Sequence, residues 1–185
     1  MECQLVGQPC RNFQILGIDR FRDPADGRQK VVLANFAAGS TGCLVFIAPQ
    51  TGEGQTLLLP SDEGACALLN WRDEKLLVGT CARAGYLHCL DLATRTWAEP
   101  LRDPGETYIW NLCLGSDGMV YGGTYPGCVL LRYNPLEHRL ENLGIFMDYA
   151  LNESLGSGEG IVAAPFSPVS ILVVPTNEEL QIAID

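Results

Sequence analysis

Apolar residues in this chain recur at every second position over short runs, and no stretch carries the 3.6-residue spacing of a helix over helical length. Alternation of this kind sends successive side chains to opposite faces of a strand. The segment from Glu106 to Pro135, ETYIWNLCLGSDGMVYGGTYPGCVLLRYNP, holds three such runs between two glycine-bearing turns. SDG at 116–118 supplies a glycine able to take positive φ in a hairpin, and NWRDEK at 70–75 marks a less tidy turn of the same kind. Strands are expected near 106–114, 118–124, 127–134 and 139–143.

The plan repeats. LLVGTCARAGYLHCLDL (76–92) and MVYGGTYPGCVLLRYNP (119–135) each read as a strand ending in Gly-Thr, a short loop with a glycine, and a second strand ending in Asp or Asn. VVLANFAAGSTGCLVFIAP (31–49) is a fainter copy. The loop glycines Gly42, Gly85 and Gly127 lie 43 and 42 residues apart, and the strand ends Ala48, Asp91 and Asn134 lie 43 and 43 apart. Two landmarks holding one period make a repeat. By the same reading the second copy has strands near 65–71, 74–80, 85–92 and 96–101, and the first near 12–19, 29–36, 42–48 and 54–59. A sheet of four short strands cannot bury both apolar faces alone and needs a like neighbour on each side.

The fold class expected is all-β: a β-propeller-like array of four-stranded antiparallel blades, with three clear repeats of about 43 residues and a degenerate C-terminal part-blade. The blades fall at about 12–60, 64–102 and 106–144, within a first domain of residues 1–147. Residues 148–185 depart from the pattern. There DYALNESLGSGEG reads as a loop, and GIVAA, SILVVP and ELQIAID read as strands of a degenerate fourth blade or as an oligomer-contact tail. Three copies leave the ring arithmetic open between a closed four-bladed ring, a fragment of a larger propeller, and a part-ring completed by another copy of itself. Apolar blade faces left wet favour self-association, hence a homo-oligomer.

LDLATRTW (90–97) and RYNPLEHRLENLG (132–144) resemble the loose propeller repeats of the quinoprotein and YVTN type, in which a strand ends in Asp or Asn, a turn follows, and the outer strand comes next. DGMVYGGTYPG resembles a kelch-type blade, although Gly122-Gly123 has no counterpart at 79 or 35, and the Gly-His and Trp-Asp dipeptides of WD repeats are absent. The resemblance covers roughly 12–147 and implies an architecture. Propellers of these kinds serve as binding scaffolds, as sugar lyases or hydrolases, and as cofactor-dependent dehydrogenases, and the fold does not choose among them.

Composition narrows the classes. With 12 basic and 22 acidic side chains in 185 residues, the formal charge of −10 repels phosphate backbones, so no nucleic-acid partner is expected. The longest apolar stretch, 160–175, is broken by three prolines and falls short of a membrane span, so no membrane partner is expected. The N-terminus lacks a basic region followed by an apolar one, and none of the eight cysteines forms a CxxC pair. The thiols are expected reduced and buried in a cytoplasmic protein, with no zinc.

Candidate chemistry is sparse. His88 and His138 have no partner at metal-ligand or triad spacing, no G-x-S-x-G elbow occurs, and GSGEG (156–160) is not followed by a helical pattern. No cofactor and no metal are expected. Glu2, Asp62, Glu63, Asp103 and Glu106 read as turn acids, but Asp62-Glu63-Gly64 and Asp103-Pro104-Gly105-Glu106 occupy equivalent loops before an innermost strand, where propellers present ligand-facing groups. The candidate ligand-binding residues are Arg83, Glu106, Tyr108, Trp110, Tyr125 and Trp71. Tyr108 and Trp110 share a strand face by period two, and an aromatic platform beside Arg and Glu suits a sugar or another flat polar ligand. The competing reading of these aromatics is packing between blades. The function expected is a non-catalytic binding or assembly module. The alternatives are a carbohydrate-active lyase or hydrolase using Glu106, Tyr108 and Arg83, and a partial propeller that completes its ring by self-association.

Overall fold

The alternating runs fold as three successive antiparallel meanders. The computed structural model describes residues 14–175, which divide between a first unit ending at Asn142 and a second beginning at Leu143. The first meander consists of β1 (Gln14–Arg22), β2 (Gln29–Phe36), β3 (Cys43–Ile47) and β4 (Gly54–Leu58), each paired to the next. The second consists of β5 (Gly64–Trp71), β6 (Lys75–Cys81) and β7 (Leu87–Asp91). The third consists of β8 (Tyr108–Leu114), β9 (Val120–Tyr125), β10 (Leu130–Asn134) and β11 (Arg139–Asn142). In the second meander the strand expected at 96–101 is reduced to two isolated bridges, Leu90 with Trp97 and Leu87 with Leu101. Pro100 lies between them and has no N–H to offer a ladder.

Consecutive meanders touch edge to edge through one residue pair each, Phe36 with Gly64 and Cys81 with Tyr108. Among the described residues no pairing joins the first meander to the third, and the sheet stays open.

The repeat is built from the same local devices. Thr80 Oγ1 accepts the Tyr86 N–H at 2.7 Å, and Thr124 Oγ1 accepts the Val129 N–H at 3.0 Å. In the first meander Asn35 Oδ1 takes the Cys43 N–H. At the strand ends, Asp91 Oδ1 accepts from Ala93 and Thr94 at 3.0 and 2.8 Å, and Asn134 Oδ1 accepts from Leu136 and Glu137 at 3.0 and 3.3 Å. Ala48 has no side-chain oxygen, so its turn closes on the backbone alone, Gly52 N–H to Ala48 carbonyl at 2.8 Å. That is why the first copy is faint in sequence.

Two apolar layers hold the meanders together. Phe21, Val32, Ala34, Leu44 and Phe46 of the first pack on Ala65, Leu76, Val78, Leu90 and Leu92 of the second. Leu69, Leu77, Leu87 and Cys89 of the second pack on Ile109, Val120, Leu131 and Tyr133 of the third. Each buried Leu or Phe contributes roughly 1.5–3 kcal/mol. Gly79 is small for a reason: a Cβ there would sit 2.7 Å from Ile109 Cγ2. Across the first layer, buried Asp23 takes Lys30 at 2.8 Å and Arg95 at 2.6 Å, and the Arg95 guanidinium lies over the Phe21 and Phe46 rings.

The second unit corrects one expectation. Part of DYALNESLGSGEG is a short helix, α1 (Tyr149–Leu155), in which Asp148 accepts the Leu151 N–H at 2.9 Å and Gly156, at φ 57°, stops the helix. Seven residues are too few to show a helical period. GIVAA and SILVVP contribute only β12 (Gly160–Ile161) and β13 (Leu172–Val173), paired antiparallel. The expected strand ELQIAID lies outside the described residues. Among the described residues the second unit therefore holds one short helix and two short strands, and no helix is long and apolar enough to cross a membrane.

Candidate functional site

The first strands of the three meanders share a register break that alternation alone does not reveal. It falls between Ile15 and Gly17, between Ala65 and Ala67, and between Ile109 and Asn111, so that Leu16, Cys66 and Trp110 are equivalent bulge residues. A bulge leaves its residue unpaired in the ladder and re-aims the side chain. At the third meander this produces an aromatic group. Tyr108, at the start of β8, pairs with Tyr125 at the end of β9. The Tyr108 ring stacks on Trp110 with centroids 4.8 Å apart at 23°, and meets Tyr125 edge-on at 5.7 Å. Trp110 and Tyr125 are about half exposed, so one side of the group is open to solvent.

Arg83 lies at the same end. Ala82 donates to the Thr107 carbonyl at 3.2 Å, which sets the 82–85 loop beside the start of β8, and Arg83 Nε bonds Glu63 Oε1 at 3.2 Å. The Glu63 carboxyl is held below its usual range by the Gly39 backbone N–H and by Arg83. Burial raises the Tyr108 hydroxyl's pKa, and the nearby Cys81, Cys66 and Glu63 push the same way. Because Arg83 is exposed, its pair with Glu63 is screened by solvent and adds little stability, and its guanidinium is available to a ligand.

Two sequence candidates do not join this group. Glu106 is buried, and both its carboxylate oxygens accept the Gly127 N–H, at 3.0 and 2.9 Å. Asp62 does the same work one repeat earlier: its Oδ1 accepts from Arg83 and Ala84 at 3.1 and 2.9 Å, and its Oδ2 takes the Thr80 hydroxyl. Asp62 and Glu106 thus brace neighbouring loops instead of presenting their carboxylates. Trp71 ends β5 at its far end, buried in the second apolar layer, with Arg72 and Lys75 over its ring at 4.6 and 5.3 Å.

The histidines have partners that spacing did not disclose. His88 is fully buried with Nε2 3.2 Å from Ser61 Oγ, and burial pulls its pKa down to about 4. Its Nδ1 has no partner among the described residues and Asp62 is committed elsewhere, so Ser61, Asp62 and His88 do not form a catalytic triad. His138 sits between the Tyr133 hydroxyl at 3.0 Å and the Glu99 carbonyl at 2.8 Å, tying the third meander to the second. Among the described residues no group of three or more His, Cys, Asp or Glu is placed to hold a metal ion. GSGEG begins at Gly156, just beyond the carbonyl end of α1, the wrong polarity for cradling a phosphate.

The thiols also differ from expectation. Cys81 and Cys89 are buried and Cys43 and Cys66 partly so, but Cys113, on β8, and Cys128, in the turn between β9 and β10, are exposed. Cys3 and Cys10 lie outside the described residues.

No protein-family model matches the chain. Curated proteins that it resembles in part include acetate kinases. It is 34% identical over 96 residues to that of Geobacillus sp. (strain WCH70), a match covering 51% of this chain and 23% of the relative. It is 48% identical over 46 residues to that of Staphylococcus haemolyticus (strain JCSC1435), covering 25% of this chain and 12% of the relative. With that of Lawsonia intracellularis (strain PHE/MN1-00) it shares 52% identity over 44 residues, covering 24% and 11%. The chain spans less than a quarter of the length of these relatives, and at that coverage the likeness assigns it to no family.

Proposed function

We propose that this chain is a non-catalytic binding and assembly module of propeller type, in which the three meanders are consecutive blades and further copies of the chain cover the two ends of the array. One contrast carries the reading. β5 has a meander on either side and leaves no residue exposed, whereas β1 and β8, equivalent in the repeat, expose Ile15, Leu16 and Ile18 and Trp110 and Leu114. Ile18 is 68% exposed and Trp110 51%. What covers β5 is another inner strand of the same kind, so that is the neighbour β1 and β8 lack.

The ligand face is the open aromatic group Tyr108, Trp110 and Tyr125, with Arg83 and Glu63 beside it. It suits a flat polar ligand such as a sugar ring. The carbohydrate-active alternative needs Glu106 to reach a ligand as an acid or base, and Glu106 is buried with its carboxylate turned onto the Gly127 N–H. Phosphoryl transfer draws no support from the site: the matched share of the acetate kinases is small, and GSGEG sits at the wrong end of α1. Exposed thiols at Cys113 and Cys128 fit a reducing, cytoplasmic setting.

Dilution tests the assembly. Trp71 is buried and Trp97 half-buried in contacts within the chain, so only Trp110 changes environment when copies part. Tryptophan emission should shift to the red on dilution, and Ile18→Asp should show the shifted spectrum at every concentration. Emission that stays constant from high to low protein concentration overturns the proposal.

A further inference from the structure

The bulge of β5 creates a pair of thiols. Cys81 ends β6 opposite Gly64, and Cys66, two residues past Gly64 on the neighbouring strand, is the extra residue at the register break between Ala65 and Ala67. The Cys81 S–H donates a hydrogen bond to the Cys66 sulfur, which holds the Cys66 thiol below its usual pKa and the Cys81 thiol above it. Cys66 is partly exposed and Cys81 fully buried. In the first meander the corresponding positions are Leu16 and Phe36, and in the third Trp110 and Tyr125, so the corner is a packing position that only the second meander fills with sulfur.

We propose that Cys66 and Cys81 form a redox couple that a low-molecular-weight disulfide, such as oxidised glutathione, converts into an intramolecular disulfide. The division of labour follows from burial and hydrogen bonding. Cys66, reachable and stabilised as thiolate by its neighbour's proton, attacks one sulfur of the oxidant. A mixed disulfide forms and one glutathione thiolate leaves. That thiolate takes the Cys81 proton, the Cys81 sulfur attacks Cys66, and the second glutathione thiolate departs. Two protein thiols are oxidised and one glutathione disulfide is reduced to two thiols. The bond would pin the end of β6 to the bulge of β5 next to Tyr108, which pairs with Cys81. The inference stands on the thiol geometry and does not depend on the assembly reading.

The test is peptide mapping of the folded protein after exposure to oxidised glutathione, with remaining thiols alkylated before digestion. The wild type should yield a reductant-sensitive peptide linking Cys66 to Cys81. Cys81→Ser should accumulate a glutathionyl adduct on Cys66, and Cys66→Ser should leave Cys81 alkylatable only after unfolding. The wild-type map decides the matter even where a variant folds poorly. Stable glutathionylation of Cys66 with Cys81 free in the wild type overturns the proposal. So does a map in which both stay reduced while exposed Cys113 and Cys128 react.

Discussion

Glu106 and Asp62 show how one side chain's partners decide its role. Both are turn acids in sequence, and both are buried braces in the fold, holding the loop between the second and third strands of their own meander. Glu106→Ala removes the charged acceptor of the Gly127 N–H and should cost about 1.5–3 kcal/mol, while Glu106→Gln keeps one oxygen and should cost less. Urea unfolding midpoints check the order; equal stability of the two variants contradicts it. His88 makes a prediction in pH. Above its ordinary pKa of 6.5 the residue is neutral whether folded or unfolded, and it contributes nothing to pH dependence. Between pH 6.5 and about 4 only the unfolded chain takes up the proton, so stability falls as pH falls, by about 3 kcal/mol in all. Below about 4 this source is exhausted. His88→Leu, matching apolar Leu131 and Val45 at the equivalent positions, should flatten stability over that window, read from unfolding midpoints across pH. A slope unchanged in the variant rules out His88 as its source. None of these pairings was legible beforehand, because Gly127, Ser61 and Glu99 lie 21, 27 and 39 residues from their partners.

At the scale of elements, the strands were legible and their irregularities were not. Alternation and glycine turns located β1 to β11 within a few residues, because a half-buried strand cannot change period without exposing its apolar side. Bulges escaped because one extra residue leaves composition and local pattern unchanged while re-aiming the side chain. That is how Leu16, Cys66 and Trp110 came to share one structural position without sharing chemistry. The loop glycines were read correctly as landmarks, and Gly85 shows why: it takes φ 57°, and a Cβ would lie 2.8 Å from the backbone of Thr107 and Tyr108 in the next meander. Gly85→Ala should therefore cost about 1–2 kcal/mol from the left-handed backbone alone, and more from the clash. Leu77→Ala, in the second apolar layer, should cost about 2–5 kcal/mol. Thermal melts of the two variants test both figures, and a Leu77→Ala protein as stable as wild type contradicts the layered packing.

For the whole molecule, the sequence period made the modular build legible, but not how the ends of the array are finished. The far side of the third meander carries Arg132 bonded to Glu141 at 2.9 Å and Tyr121 to Asp117 at 2.8 Å, where the second meander at the same positions buries Leu77 and Cys89. Alternation cannot distinguish those two faces, since both read as every second residue. The proposed assembly through the inner strands would bring together copies that each carry a formal charge of −10, so added salt should strengthen it by screening the repulsion. Molar mass by light scattering, taken across protein concentration at moderate salt, bears most directly on the claim that like sheets cover one another. The account predicts a discrete multiple of 20.1 kDa at high concentration that falls towards 20.1 kDa on dilution and is absent in Ile18→Asp. A single 20.1 kDa species throughout the micromolar range would contradict it.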